Sequence, residues 1–440
     1  MRRLIYTACA LVMLTMLSAF AIAQDTAYAR RIIADLSHPA FHGRGTSYRG
    51  DSLAAEYLRA ELRRLGVQPL ADNYWQDYCF SATSMEGACA MEVNGQLLQP
   101  FADYRVQAFS ANIGTLTPRV VELPVTTLID TALLRIFLKH ERKGLAESFV
   151  YIDASKLDTY DESVRKCCNA ELYALRKRNP LGSKGIIVGK NKLDTYSLGY
   201  TDKEHDYVYV EVLSSKMPKR VRSMRMTVHT QFYPEYHTQN VCGIIPGESD
   251  SMVVFTAHYD HCGMMGDSVY FPGAHDNASG CAAVLDLARQ TMEESAAGNK
   301  PRYTIVVLFF SGEEVGLKGS RYATEHPVVD LAKIRLCVNI DMFCGGDDGL
   351  MVFNANADNT KALVDRMEML NKKLELVKEI RRRDNSPNSD HYYFTPICPA
   401  IFVLSMGQPF GGYHDPYDTC ERCGLEHYQH MLLLISTVAL

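Results

Sequence analysis

The pattern of apolar and polar residues predicts an α/β fold: a mixed, largely parallel central sheet with helices on both faces, carrying an inserted sheet-rich subdomain. Three observations predict it. After Tyr233, short continuous apolar runs alternate with stretches of helical period. Several of those runs end in potential metal ligands. Between residues 117 and 218 the texture changes to closely spaced alternating strands, as expected of a separate small sheet. At 440 residues the chain also exceeds what one core usually holds, which calls for an insertion or a second domain.

The N-terminus begins with Arg2 and Arg3, continues as an apolar stretch from Leu4 to Phe20 and ends in Ala21-Ile22-Ala23, the pattern of a secretory signal with a small-residue cleavage site. We therefore assign residues 1–23 to a signal peptide and expect an exported product, periplasmic or secreted, without a membrane anchor. Losing Arg2 and Arg3 takes the formal net charge from −5 to −7, which leaves no electrostatic case for a nucleic-acid partner. Hydrophobic residues make up 47% and charged residues 22% of the chain, values of an ordinary globular protein.

Residues 24–116 read as the first part of the main domain. Leu53, Ala54, Tyr57, Leu58, Leu62 and Leu65 recur at helical spacing from Asp51, with Gly66 as a stop. The preceding His42-Gly43-Arg44-Gly45-Thr46 reads as a connector or as a loop touching substrate. Within 117–218, Phe149–Ile152, Gly185–Val188 and Tyr207–Val210 read as strands and the charged stretch near Leu172 to Arg178 as helical. Residues 219–440 carry the rest of the main domain. Strands are expected at Met252–Ala257, Ile305–Phe310, Ile334–Ile340 and Ala400–Leu404, and helices at Gly280–Gln290 and Asn359–Leu370. Of 13 cysteines, 12 follow the cleavage site, an even number in a compartment where disulfides persist. Cys79 and Cys89 are spaced to close a hairpin, and Cys420 and Cys423 to form a small loop or to stay separate thiols.

In parallel sheets ligands bind beyond the carboxyl ends of the strands, and here three strands run into acids or histidines. These are His258-Tyr259-Asp260-His261, Ser311-Gly312-Glu313-Glu314 and Asp341-Met342. Asp276 precedes a helix in Gly273-Ala274-His275-Asp276-Asn277-Ala278-Ser279-Gly280, and His414 lies in Tyr413-His414-Asp415-Pro416-Tyr417-Asp418-Thr419. Imidazoles and carboxylates together suit zinc, and carboxylates can bridge two ions. Neighbouring side chains in Glu313-Glu314 point apart, so one can coordinate while the other serves as general base. Taken singly, such acids would be ordinary helix-end charges; their convergence at successive strand ends is what indicates a site. No His-Glu-x-x-His helix, Gly-x-Ser-x-Gly turn or Gly-x-x-x-x-Gly-Lys loop competes. Asn277-Ala278-Ser279 matches a glycosylation acceptor but falls inside the proposed site.

These segments resemble the co-catalytic dizinc aminopeptidase family, whose relatives include glutamate carboxypeptidases, glutaminyl cyclases and the transferrin-receptor ectodomain. The resemblance implies a zinc aminopeptidase-like fold, two zinc ions per chain, Asp276 bridging them, Glu314 and His414 completing one and His258 and Asp341 the other. It leaves Glu313 as the base, makes Asp260 the acceptor of the second His258 N–H, and suggests a cis Asp276–Asn277 peptide. Ser389-Asp390-His391 matches a segment lining the family's substrate pocket, so His391 is expected to contact substrate or to hold a structural hydrogen bond. Residues 117–218 fall where many members insert a protease-associated domain. Two departures stand out: His275 replaces an acid, and Asp415 follows His414. The activity implied is an exopeptidase, most directly an aminopeptidase acting on peptides, with a single-zinc glutaminyl-peptide cyclotransferase as the alternative.

Overall fold

The computed structural model describes residues 26–141, 144–198, 202–407 and 412–440; the expected signal peptide lies outside them. Its centre is a nine-stranded sheet. The strands Tyr303–Phe310, Ser249–His258, Ile334–Ile340 and Ala400–Met406 lie side by side and parallel in that order. Their interiors are continuous apolar runs with nearly every residue buried, the pattern of strands covered on both faces. Gln231–Ile245 adds antiparallel to Tyr303–Phe310 at one side, and Gly349–Phe353 adds antiparallel to Ala400–Met406 at the other.

Helices cover both faces. Ser279–Ala296, almost wholly buried along its first ten residues, packs with Thr26–Leu36 and Gly50–Leu65 over the sheet in one large core. Gly66 closes Gly50–Leu65 with a left-handed φ of 77° and returns its N–H to Leu62 and Arg63, a glycine cap. Every strand and helix expected after Tyr233 is present within a few residues. The expected helical stretch near Leu172 to Arg178 lies earlier, at Glu162–Ala174. Among these helices none is long and apolar enough to cross a membrane.

The inserted region holds two smaller sheets. Five strands, ordered Tyr104–Val106, Val208–Leu213, Gly185–Lys190, Ser148–Asp153 and Arg119–Glu122, form one, and four antiparallel strands from Cys89–Val93 to Met224–Val228 include the rest. These sheets thus draw on chain either side of residues 117–218. Tyr104–Val106 and Met224–Val228 pair with strands far away in sequence, which local periodicity does not reveal. A buried cluster joins the insertion to the main domain, with Tyr104, Tyr196, Val208 and Val210 packed against Cys262, Met265 and Phe271.

Disulfide pairing differs from expectation. Cys423 pairs with Cys344, 79 residues away, while Cys79, Cys89 and Cys420 are free thiols. Proximity in sequence misdirected the reading: the strand end after Asp341 and the C-terminal turn after His414 meet only in the fold. Cys344→Ser should lower the unfolding free energy by about 2–4 kcal/mol in a urea titration. Cys420→Ser should stay within about 0.5 kcal/mol of the parent.

Candidate metal centre

His258 ends its strand and is 1% exposed. Its Nδ1 donates to the backbone carbonyl of Asp260 at 3.1 Å. That fixes the tautomer and turns Nε2 toward Asp341 Oδ1 at 3.2 Å and Asp276 Oδ1 at 3.4 Å. The other Asp276 oxygen lies 3.3 Å from Nε2 of His414, which is also 2.9 Å from Glu314 Oε2. Asp276 therefore stands between two groups, His258 with Asp341 and His414 with Glu314. The structure brings all five sequence-nominated ligands together.

Asp260 serves differently from expectation. Its carboxylate is 3.8 Å from His258 Nδ1, and its oxygens instead accept the backbone N–H groups of Glu313 and Glu314 at 3.1 and 3.2 Å. The orienting acceptor for His258 is the Asp260 main chain. Its side chain fixes the turn that splays the two glutamates. Glu313 joins His258 and Asp341 in one group of converging ligand atoms, and Glu314 joins His261, Cys262 and His414 in another. His261 and Cys262 were not expected there. His261 is fully buried, with Nδ1 2.7 Å from Glu314 Oε1. Burial pushes the Cys262 thiol up to about 12, so it remains protonated.

Charge in this pocket is strongly perturbed. Burial opposes ionisation of Asp276, but the adjacent imidazoles of His258 and His414 overcome it and hold the carboxyl well below its usual range. Glu314, also against the desolvation cost, is driven down to about 2 by His414. Glu313 goes the other way: burial pushes it well above the ordinary carboxylate range, Glu314 and Asp341 add to that, and His258 opposes. Adjacent glutamates thus have opposite proton affinities, as one acid-base group and one ligand require.

Several groups that sequence reasoning passed over hold this arrangement. Arg44 is fully buried, and its guanidinium donates to five carbonyls, those of Leu36, Tyr259, Pro272, Gly273 and Asp276, at 2.6 to 3.2 Å. The His42–Thr46 segment is thus a clamp on the Asp276 loop. Flanking glycines admit it, since a Cβ on Gly43 would lie 2.1 Å from the Gly263 carbonyl oxygen. The Asp418 carboxylate receives the N–H groups of His275 and Asp276 at 2.9 and 3.1 Å. On the other side of the loop Asn277, joined to Asp276 by a cis peptide, donates to Ile340 and accepts from Gly280 and Met342. Asn277 is wholly buried, so the sequon is no glycosylation acceptor in the folded chain. Asp341 is fixed by a relay of 2.7 Å bonds: Thr256 donates to Asn339, Asn339 to Ser389, and Ser389 to Asp341 Oδ2.

His391 is fully buried against Phe402, their ring centroids 5.4 Å apart. Neither ring nitrogen has a hydrogen-bond partner among the described residues, and burial lowers its pKa to about 4. Asp415 accepts the Tyr417 N–H at 2.8 Å and lines, with His414, Tyr413, Arg105 and Lys192, a cavity of about 280 Å³.

The residues fit bound zinc. His414 Nε2 is buried without a well-directed hydrogen bond although two carboxylate oxygens crowd it, which means that these atoms aim at a common point and not at one another. The buried acids here outnumber the imidazoles and the one guanidinium set among them, which calls for added positive charge. Arg44 should be irreplaceable even by lysine. An ammonium offers three donors where the fork supplies five, so Arg44→Lys should cost about 3 kcal/mol or more by denaturant titration and weaken zinc retention on dialysis.

Residues 240–439 match Peptidase family M28. A probable leucine aminopeptidase of Arthroderma otae is 28% identical over 42% of this chain and 52% of its own length. A glutaminyl-peptide cyclotransferase of Drosophila melanogaster is 28% identical over 41% of this chain and 54% of its own. The chain spans about half the length of these curated relatives. Among solved structures, a zinc aminopeptidase from Bacillus subtilis superposes with a TM-score of 0.65 at 18% identity, covering 94% of each chain. A peptidase M28 precursor from Shewanella amazonensis gives 0.65 at 19%, over 96% of this chain and 94% of that one. At those identities the likeness shows the fold, and it extends through the insertion. Residues 240–439, which contain every ligand named above, are a peptidase family M28 domain.

Proposed function

We propose that this chain is an exported zinc-dependent exopeptidase, most directly an aminopeptidase, with two zinc ions per chain. The observation that carries this reading is Asp276, whose two oxygens face two separate histidine and carboxylate groups while Glu313 stands beside one of them. His258 and Asp341 would hold one ion, His414 and Glu314 the other, and Asp276 both. Zinc bound there supplies Lewis-acid polarisation of a peptide carbonyl and lowers the pKa of a water.

The protein's own groups do the rest. Glu313, with its high proton affinity, takes the proton of the attacking water and delivers it to the leaving amine. Asp260 fixes the backbone from which Glu313 projects. His391, whose pKa burial lowers to about 4 and whose ring nitrogens have no well-directed hydrogen bond among the described residues, is assigned to the substrate side, donating to the oxygen on which negative charge develops. The cavity beside His414, lined by the insertion and the C-terminal turn, gives the substrate room to extend.

The cyclotransferase relative supports a second reading, in which one zinc polarises the carbonyl of an N-terminal glutamine. The presence of two separate ligand groups, one at His258 and Asp341 and one at His414 and Glu314, argues for two ions and so for hydrolysis. An assay of the mature chain on aminoacyl, amino-blocked and glutaminyl peptides, with zinc counted on the same sample, separates the two. Cleavage of aminoacyl peptides at two zinc per chain is expected, and ammonia release from glutaminyl peptides at one zinc would install the alternative.

Glu313→Gln should reduce turnover by about 10²–10⁴-fold with zinc content unchanged, and preserved turnover would remove Glu313 as the base. Asp276→Ala should release the metal and abolish the fall in melting temperature that a chelator causes in the parent, because ligand binding is linked to folding.

A further inference from the structure

We propose that the inserted subdomain completes the metal centre through Tyr196, whose backbone carbonyl positions the ligand His414. His414 Nδ1 donates to the Tyr196 carbonyl at 2.7 Å. This hydrogen bond selects the tautomer in which Nε2 is free to face Asp276 and Glu314, as ligating imidazoles require of the group behind them. His414 has a left-handed φ of 52°, a backbone state that a non-glycine residue keeps only when its surroundings hold it.

The two histidines are oriented from very different places. Behind His258 is the carbonyl of Asp260, two residues further along the same strand end. Behind His414 is a carbonyl 218 residues earlier in the chain, between the strands Gly185–Lys190 and Val208–Leu213 of the inserted sheet. The Tyr196 ring is fully buried and stacks on Phe271, centroids 4.6 Å apart at 14°. Phe271 in turn packs edge-on to Phe101 and lies five residues before Asp276. One stacked pair therefore ties the carbonyl that orients His414 to the loop that carries the bridging acid. The Tyr196 hydroxyl is buried without a hydrogen-bond partner among the described residues, so the ring acts by packing and its oxygen is dispensable.

The consequence is an asymmetry. Loosening Tyr196 should weaken the ion on the His414 side and spare the one on the His258 side. Tyr196 is a positioning residue in this account, and the inference rests on the dizinc reading above.

The test uses the full mature chain with Tyr196→Ala, Tyr196→Leu and Tyr196→Phe, reading zinc per chain on dialysis against graded chelator and the visible absorption of the cobalt-substituted protein. Tyr196→Leu keeps buried volume should the alanine variant fail to fold. The parent and Tyr196→Phe are expected to hold two ions with the same affinities. Tyr196→Ala and Tyr196→Leu should hold one as the parent does and the other about 10–100-fold more weakly, with cooperative unfolding retained and one component of the cobalt spectrum altered. Parental affinity for both ions in a folded Tyr196→Ala or Tyr196→Leu would overturn the inference, as would equal weakening of both or loss of an ion in Tyr196→Phe. A parent that binds no zinc would overturn the dizinc reading and this inference with it.

Discussion

One carboxylate shared between two histidines is the constraint on which this molecule depends. Asp276 can face His258 with one oxygen and His414 with the other only if its loop is fixed to within a few tenths of an ångström. Main-chain contacts from distant parts of the chain fix it. Arg44 pulls on the carbonyls of Pro272, Gly273 and Asp276 from below, Asp418 caps the N–H groups of His275 and Asp276, and Asn277 ties the other side to the end of Ile334–Ile340. None of these bonds uses the Asp276 side chain, so its carboxylate remains available. A loop without regular hydrogen bonding of its own can be this rigid because its polar backbone groups are met by charged or amide side chains.

The same loop faces an electrostatic problem. Asp260, Asp276, Glu313, Glu314 and Asp390 crowd one region, and burial favours their neutral forms. The protein answers it unevenly. Asp276 and Glu314 stay ionised against imidazolium partners. Burial pushes Asp260 and Asp390 up to about 7 and about 6. Arg44 contributes a buried positive charge near Asp276, Asp418 and Asp260, and its guanidinium bonds to main-chain carbonyls. An imidazole must be unprotonated on the nitrogen that binds, so metal uptake at His258 and His414 would be coupled to proton release. A centre of this kind binds metal more weakly as the pH falls.

Much of the frame was legible because it is written locally. The four parallel strands are apolar runs too short for helices, and the ends of three of them carry acids and histidines that give the site its chemistry. What could not be read is what depends on distance. Gln231–Ile245 is 15 residues long with Tyr, His, Glu and Pro in its first half, and becomes a strand because Trp75–Ser84 pairs along it. Arg44 looks like a loop cation; its five acceptors, drawn from Leu36 to Asp276, converge only in three dimensions. The glycines on either side were the available hint. Cys344 and Cys423, Tyr196 and His414, and Ser389 and Asp341 are of the same kind. The nominated ligands were visible as residue types, and the groups that aim them were not.

Asp260 shows why ligands and general base cannot be treated as separate parts. Its carbonyl orients His258, and its carboxylate holds the N–H groups of both glutamates. A shift of this one residue would rotate an imidazole facing Asp341 and re-aim Glu313 and Glu314 together. Groups linked through a common anchor respond as a unit, so the effects of altering them do not add. His414 is anchored separately, through the inserted sheet. The centre is therefore built in two halves, one local to the strand ends of the main sheet and one assembled across the insertion. Among the described residues, Asp276 is the side chain whose oxygens face the histidines of both.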